Sequence, residues 1–128
     1  MQDFKRLRVW HKAHECFLSF HAAFAPERGR SVSGLRAQAI RAAASIPTNI
    51  AEGCGKSSTR EFVRFLELAS GSVRELENHL IVARDLEVVS QPQFTALDDQ
   101  ITEVRRMLIG LLRALRRQAP RVGSSSDA

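Results

Sequence analysis

The sequence predicts an all-α protein, an up-down-up-down antiparallel four-helix bundle in a single domain. Four segments repeat apolar residues at spacings of three and four, which is the period of an amphipathic helix. No segment alternates convincingly with the period of two that a strand requires, so no sheet is predicted. The chain has 128 residues, with seven glycines and four prolines. That length suits one domain, and so few turn residues argue against a sandwich.

The first helical segment runs from about residue 7 to residue 24. Its apolar stripe consists of Trp10, Ala13, Phe17, Phe20 and Phe24. Pro26 and Gly29 follow, and they predict a loop.

The second segment runs from about residue 33 to residue 52. Its apolar stripe consists of Leu35, Ala39, Ala42, Ile46 and Ile50. Pro47 lies inside this pattern and has no N–H to donate to the Ala43 carbonyl, so a kink is expected there. Gly53 and Gly55 are predicted to end the helix.

The third segment opens with a capping box, in which the Ser58 hydroxyl accepts a backbone N–H and Glu61 reaches back. Its stripe steps regularly by four and three through Phe62, Leu66, Ala69, Val73, Leu76, Leu80 and Ala83. Phe65 lies off the stripe, which predicts either a wider core face or a subunit contact. The helix is expected to reach about residue 88.

The fourth segment begins near Pro92, a residue suited to a first helical turn. Its stripe consists of Phe94, Leu97, Ile101, Val104, Leu108, Leu111 and Leu115. Pro120 is expected to stop it. Residues 1–118 are therefore assigned to the bundle and residues 119–128 to a disordered tail. The short loops favour antiparallel neighbours.

The composition excludes several classes of protein. Cys16 and Cys54 belong to no disulfide framework or zinc-ligand run, so two reduced thiols in the cytoplasm are expected. The first six residues lack the apolar region of a signal peptide, and no uncharged apolar run is long enough to cross a membrane. We therefore predict a cytoplasmic protein with no membrane partner.

Searches for catalytic and metal-binding patterns support neither kind of site. No glutamate is followed three residues later by histidine, and His11, His14 and His21 share one helix without identifiable ligands opposite. Residues 53–57 resemble the end of a phosphate-binding loop, but a helix precedes them and Ile50 stands where glycine is needed. Lys56 and a helix start would lower the pKa of the Cys54 thiol, but no base is identified beside it. We predict no enzyme, metal or cofactor.

Positive charge is concentrated near the end of the fourth segment. The net charge of the chain is +5, and residues 102–121 contain six arginines but one glutamate. The candidate nucleic-acid-binding residues are Arg105, Arg106, Arg113, Arg116 and Arg117. Arginine binds phosphate through two hydrogen bonds, although the helix macrodipole also favours cations at a C-terminus. Two interpretations stay open: binding of nucleic acid or another polyanion, and a solvated or subunit-pairing face.

The run from Ser45 to Gly53, with the letters SIPTNIAEG, is distinctive. It resembles the four-helix-bundle family first recognised as products of intervening sequences inside bacterial 23S ribosomal RNA genes. Other matching residues are Leu7, Val9, Trp10, Ala13, Gln38, Arg41, Ala42, Phe65, Leu66, Gly71, Ser72, Glu75 and Leu80. The resemblance covers about residues 4–116, and the loop at 25–30 is more basic than the family pattern.

The resemblance implies a cytosolic bundle that assembles as a ring-like homopentamer. The molecular function of the family is not established, and the resemblance supplies no catalytic residues. Related accessory proteins of diversity-generating retroelements form similar pentamers that bind nucleic acid and a reverse transcriptase. By analogy of fold, this chain is expected to be a non-enzymatic RNA- or DNA-binding accessory. The alternative is a scaffold that binds other proteins and no nucleic acid.

The motif residues also have a physical interpretation. The candidate structural or interface residues are Ile46, Pro47, Asn49, Ile50, Glu52 and Gly53. Asn49 or a water is expected to satisfy the Ala43 carbonyl that Pro47 leaves free. We hypothesise that this end of the second helix is a structural lock or a contact between subunits.

Overall fold

A computed structural model describes residues 2–24 and 34–118, which form an all-α four-helix bundle, as predicted. The helices are α1 (Arg8–Ala23), α2 (Leu35–Cys54), α3 (Thr59–Asp85) and α4 (Gln91–Gln118). A short 3-10 helix, Phe4–Arg6, precedes them. α1 and α3 each pack against both α2 and α4. The predicted loop at 26–29 and the predicted tail at 119–128 lie outside the described residues.

Contacts between α2 and α3 fall where the predicted antiparallel order requires them. Ser45 Oγ lies 2.5 Å from Ser72 Oγ. Gly53, later in α2, faces Phe62, which comes earlier in α3. The connections at 55–58 and 86–90 are short, which favours antiparallel neighbours. The up-down-up-down order of the whole bundle stays a prediction.

The apolar stripes predicted for the second and third segments are buried completely, in α2 and α3. The stripe predicted for α1 is only partly right. Trp10 and Phe17 are half-buried, while Val9 and Cys16 are buried in the core. Trp10 and Phe17 pack against the core from the edge of the α1 face that meets α2, where an open cavity leaves them partly exposed.

The predicted α4 stripe needs a similar correction at its ends. Phe94 and Leu111 are half-buried, and Leu112 is 6% exposed. α4 packs against α3 as well as α1, so its buried face near the C-terminus includes the residue next to the predicted position. The other five predicted residues are buried.

Side-chain caps explain where α3 and α4 begin. Ser58 Oγ accepts from Glu61 N at 3.1 Å, which confirms the first half of the predicted capping box, whereas the Glu61 carboxylate lies 3.7 Å from Arg64 Nε and its reach back to Ser58 stays a prediction. α4 begins at Gln91, and a reciprocal capping box precedes it: Ser90 Oγ accepts from Gln93 N at 3.2 Å, and Gln93 Oε1 accepts from Ser90 N at 2.8 Å. This cap was not predicted, although Ser90 and Gln93 have the required spacing. α3 ends at Asp85, three residues earlier than expected.

Candidate nucleic-acid interface on helix α4

Two of the five candidate arginines point from α4 towards α3. The Arg105 guanidinium pairs with the Glu77 carboxylate, and the Arg116 guanidinium pairs with the Glu67 carboxylate. Arg105 Nη2 also lies 3.5 Å from Thr102 Oγ1. Exposed pairs of this kind contribute at most about 1 kcal/mol to stability. Their main consequence is that carboxylates of α3 partly compensate both charges.

The other three candidates, Arg106, Arg113 and Arg117, are exposed on the outer face of α4. Among the described residues, none of them forms an ion pair. A rise of about 1.5 Å per residue places the first two about 10 Å apart along the helix and the last two about 6 Å apart. We refer to these three residues as the outer arginine row. Asp99 and Glu103 precede the row, so its positive charge is confined to the C-terminal half of α4.

The six motif residues divide between the core and the surface. Ile46 and Ile50 are 1% and 0% exposed. Pro47 and Gly53 are also buried. Asn49 is half-buried and Glu52 is exposed. Most of the motif therefore serves the packing of α2, and its outer residues face solvent within a single protomer.

The hydrogen bonds near Pro47 differ from the expected pattern. Asn49 Nδ2 donates to the Ser45 carbonyl at 2.9 Å, and Thr48 Oγ1 donates to the Ala44 carbonyl at 2.9 Å. The expectation that Asn49 satisfies the Ala43 carbonyl is wrong, because its short side chain reaches back one turn and Ala43 lies six residues away. α2 runs through Pro47 as one helix. The kink stays a prediction.

Gly53 lies inside the last turn of α2, where α3 approaches closely. α2 continues through Gly53 to Cys54, and Gly55 is its C-cap, so the predicted end at Gly55 is confirmed and the predicted end at Gly53 is wrong. A Cβ on Gly53 would lie 2.8 Å from Phe62 Cδ1 and 3.0 Å from Phe65 Cβ. Phe65 is half-buried, and Lys56 Nζ and the Arg64 guanidinium carbon lie 5.1 and 4.9 Å from its ring centroid, so its two predicted roles stay predictions. This glycine is required by packing between helices.

Pro47 and Glu52 line an open cavity of about 370 Å³ between α1 and α2. Its aromatic wall consists of Phe4, Trp10, His14 and Phe17. The Trp10 and His14 rings are stacked, with centroids 5.0 Å apart and an interplanar angle of 7°. We refer to this cavity as the aromatic hollow. It explains why Trp10 is only half-buried, since one side of the indole faces an open space.

The two cysteines are buried and chemically protected. Burial raises the pKa of the Cys16 thiol to about 12. Burial, followed by the Asp3 carboxylate, raises the pKa of the Cys54 thiol. The expectation that Lys56 and the start of α3 lower this pKa is wrong, because Cys54 is 2% exposed and its thiolate would be poorly solvated. High thiol pKa values disfavour the nucleophilic form.

The histidines of α1 have separate surroundings. His11 Nε2 lies 2.6 Å from the Lys5 carbonyl oxygen, and His14 stacks on Trp10. His21 lies beside Phe17, with ring centroids 6.2 Å apart. Within residues 2–24 and 34–118, no three potential metal-ligating side chains form a cluster.

Across the same residues, no helix is both long enough and apolar enough to span a membrane.

The fold defines this protein as an all-α four-helix bundle, and the outer arginine row is its candidate ligand-binding surface. The family model described as "23S rRNA-intervening sequence protein" matches residues 5–110. The chain belongs to this family, which confirms the resemblance found at the motif.

A solved structure shows the same fold. It is a protein of unknown function from the S23 ribosomal protein family of Bacteroides thetaiotaomicron. The two chains are 23% identical and superpose with a TM-score of 0.73, over 81% of this chain and 97% of the other. No curated protein matches this chain in a sequence comparison.

Proposed function

We propose that this protein is a non-enzymatic, homo-oligomeric bundle that binds RNA or DNA in the cytoplasm. The observation that carries the proposal is the outer arginine row, a line of exposed cations without described partners on α4. A guanidinium presents a planar fork of donors that matches the oxygens of a phosphate. Each phosphate that it neutralises releases counterions, which drives association at low salt.

Arg105 and Arg116 have a lesser part in this proposal. Their pairs with Glu77 and Glu67 bridge α4 to α3 and compensate their charge. A phosphate would have to compete with a carboxylate for each of them. Binding therefore depends mainly on Arg106, Arg113 and Arg117.

Replacing the three arginines of the row by glutamine is expected to weaken binding to short labelled RNA and DNA duplexes at low salt. The expected loss is roughly 10- to 100-fold, because each exposed charge pair contributes about 0.5–1 kcal/mol. The slope of log affinity against log salt should fall by about 0.9 for each arginine that neutralises a phosphate. Fluorescence anisotropy over a salt series measures both quantities.

A matched control removes the same charge elsewhere. Arg41, Arg60 and Arg74 are exposed on α2 and α3, and changing all three to glutamine lowers the net charge equally. This control variant should keep most of the affinity. Equal loss in the two variants, or no binding by the unmodified protein, would contradict the proposal.

The proposed oligomer is a pentamer, an assembly that rests on the family resemblance. Exposed apolar side chains are consistent with contacts between copies: Leu18, Leu68, Ile81, Leu86 and Ile109. Light scattering should give about five times the chain mass of 14.3 kDa.

Changing Asn49 and Glu52 to alanine tests whether the motif makes a subunit contact, and a smaller assembly is expected. A single-chain mass for the unmodified protein would remove the oligomer from the proposal.

A second candidate function is a scaffold that binds another protein and no nucleic acid. The aromatic hollow favours it, since aromatic residues such as Trp10 are enriched at protein interfaces. This alternative is selected if a protein partner is retrieved from nuclease-treated extract and the protein has no affinity for RNA or DNA at low salt.

A further inference from the structure

Gly110 lies inside the outer arginine row, and no contact among the described residues explains it. It is exposed in the interior of α4, and a Cβ added there would meet no described atom within 4 Å. Glycine destabilises a helix interior relative to alanine because its unfolded chain is more flexible. An alanine would therefore fit the fold without a clash and would strengthen the helix. Gly53 differs from Gly110, because α3 approaches Gly53 so closely that an added Cβ would clash.

The neighbours of Gly110 on the helix surface are the arginines of the row. Arg106 precedes it by four residues and Arg113 follows it by three, so all three share one face. The two arginines are about 10 Å apart along the axis. Ile109, 42% exposed, and Gly110 flank the line between the two guanidinium groups, so a strand whose phosphates contact both finds bare backbone only on the Gly110 side.

We infer that Gly110 is the point where the sugar–phosphate backbone of a bound nucleic acid approaches α4 most closely. The inference rests on the proposed function and names the contact surface. A side chain at this position would hold the strand away from the helix and lengthen the contacts of both neighbouring arginines. The shared chemistry is a phosphodiester chain, which RNA and DNA both supply.

Gly71 in α3 is the matched control. It is also exposed in a helix interior, and a Cβ there would meet no described atom within 4 Å. Its neighbours four residues away on either side are Glu67 and Glu75. Arg74, three residues after Gly71, is the one basic residue within four positions of it, so a substitution there gives the same gain in helix propensity without lying between two cations.

The experiment compares alanine and leucine at Gly110 with the same substitutions at Gly71. Both sets are expected to raise the thermal midpoint by roughly 2–4 °C, through helix propensity. Binding to RNA and DNA duplexes is measured by anisotropy on the same samples. Gly110→Leu should weaken binding by about tenfold and Gly110→Ala by less, because two of the three row contacts are lengthened. Both Gly71 variants should bind within about twofold of the unmodified protein.

The outcomes separate this inference from the proposed function. Suppose that the triple glutamine variant of the row loses affinity but Gly110→Leu binds as tightly as the unmodified protein. This result would overturn the inference and leave the proposed function intact. Equal weakening by Gly110→Leu and Gly71→Leu would also overturn it. Unchanged binding by the triple variant would remove the proposed function and the inference together. Weakening confined to the RNA or the DNA probe would support the inference and identify the natural strand.

Discussion

Ile50→Ala is expected to lower the free energy of unfolding by about 2–5 kcal/mol. Ile50 is 0% exposed, in the middle of the family motif, and its truncation removes apolar contacts and leaves a cavity that the surrounding helices cannot fill completely. The loss is a large share of the total stability of a domain this size. Urea denaturation followed by circular dichroism measures it.

Thr48→Ala is the control within the same motif. Thr48 is exposed and its hydroxyl donates only to the Ala44 carbonyl of its own helix, so its truncation should change the free energy of unfolding by no more than about 0.5 kcal/mol. A large loss for Ile50→Ala beside a small change for Thr48→Ala would assign the motif's apolar residues to the core. Equal effects of the two substitutions would contradict that assignment.

Gly53→Val is expected to destabilise the protein by about 1–3 kcal/mol through overpacking. The first added carbon would already lie 2.8 Å from a Phe62 ring carbon and 3.0 Å from Phe65 Cβ, an atom that the α3 backbone holds in place. Valine is also stiff in a helix, which removes the usual benefit of replacing glycine. The thermal midpoint should fall accordingly.

Gly71→Ala is expected to have the opposite effect and to raise the thermal midpoint. Its Cβ enters open space, so helix propensity alone should raise stability by about 0.5–1 kcal/mol. A stabilised Gly53→Val variant would show that α2 and α3 are farther apart at this point than the structure places them. The pair of substitutions thus tests the close approach of the two helices without reference to any ligand.

The apolar stripes show how far periodicity alone can predict a core. All seven residues of the stripe predicted for α3 are buried, and the prediction missed only His79, which is buried beside them. In α1 the same method selected Trp10 and Phe17, which border the aromatic hollow, and missed Val9 and Cys16. Periodicity locates the apolar side of a helix, but the centre of the buried face depends on which two neighbours it contacts.

The arginines of α4 also show what helical periodicity can predict and what depends on the packing of the helices. Helical spacing places Arg106, Arg113 and Arg117 on one face of α4 and Arg105 and Arg116 on an adjacent face. It could not identify Glu77 and Glu67 as partners, because these residues lie on another helix and meet α4 only through the register of the two. The role of all five residues in binding stays a prediction.

The sequence by itself determined the all-α class, the four helical segments and the family, because helical periodicity, caps and a contiguous motif are local properties of the chain. Only the tertiary structure decided which arginines are paired, why Gly53 must be a glycine, and how strongly Cys54 is protected. Those properties depend on distances between residues far apart in sequence, and helix packing sets these distances. A local pattern contains no such distances.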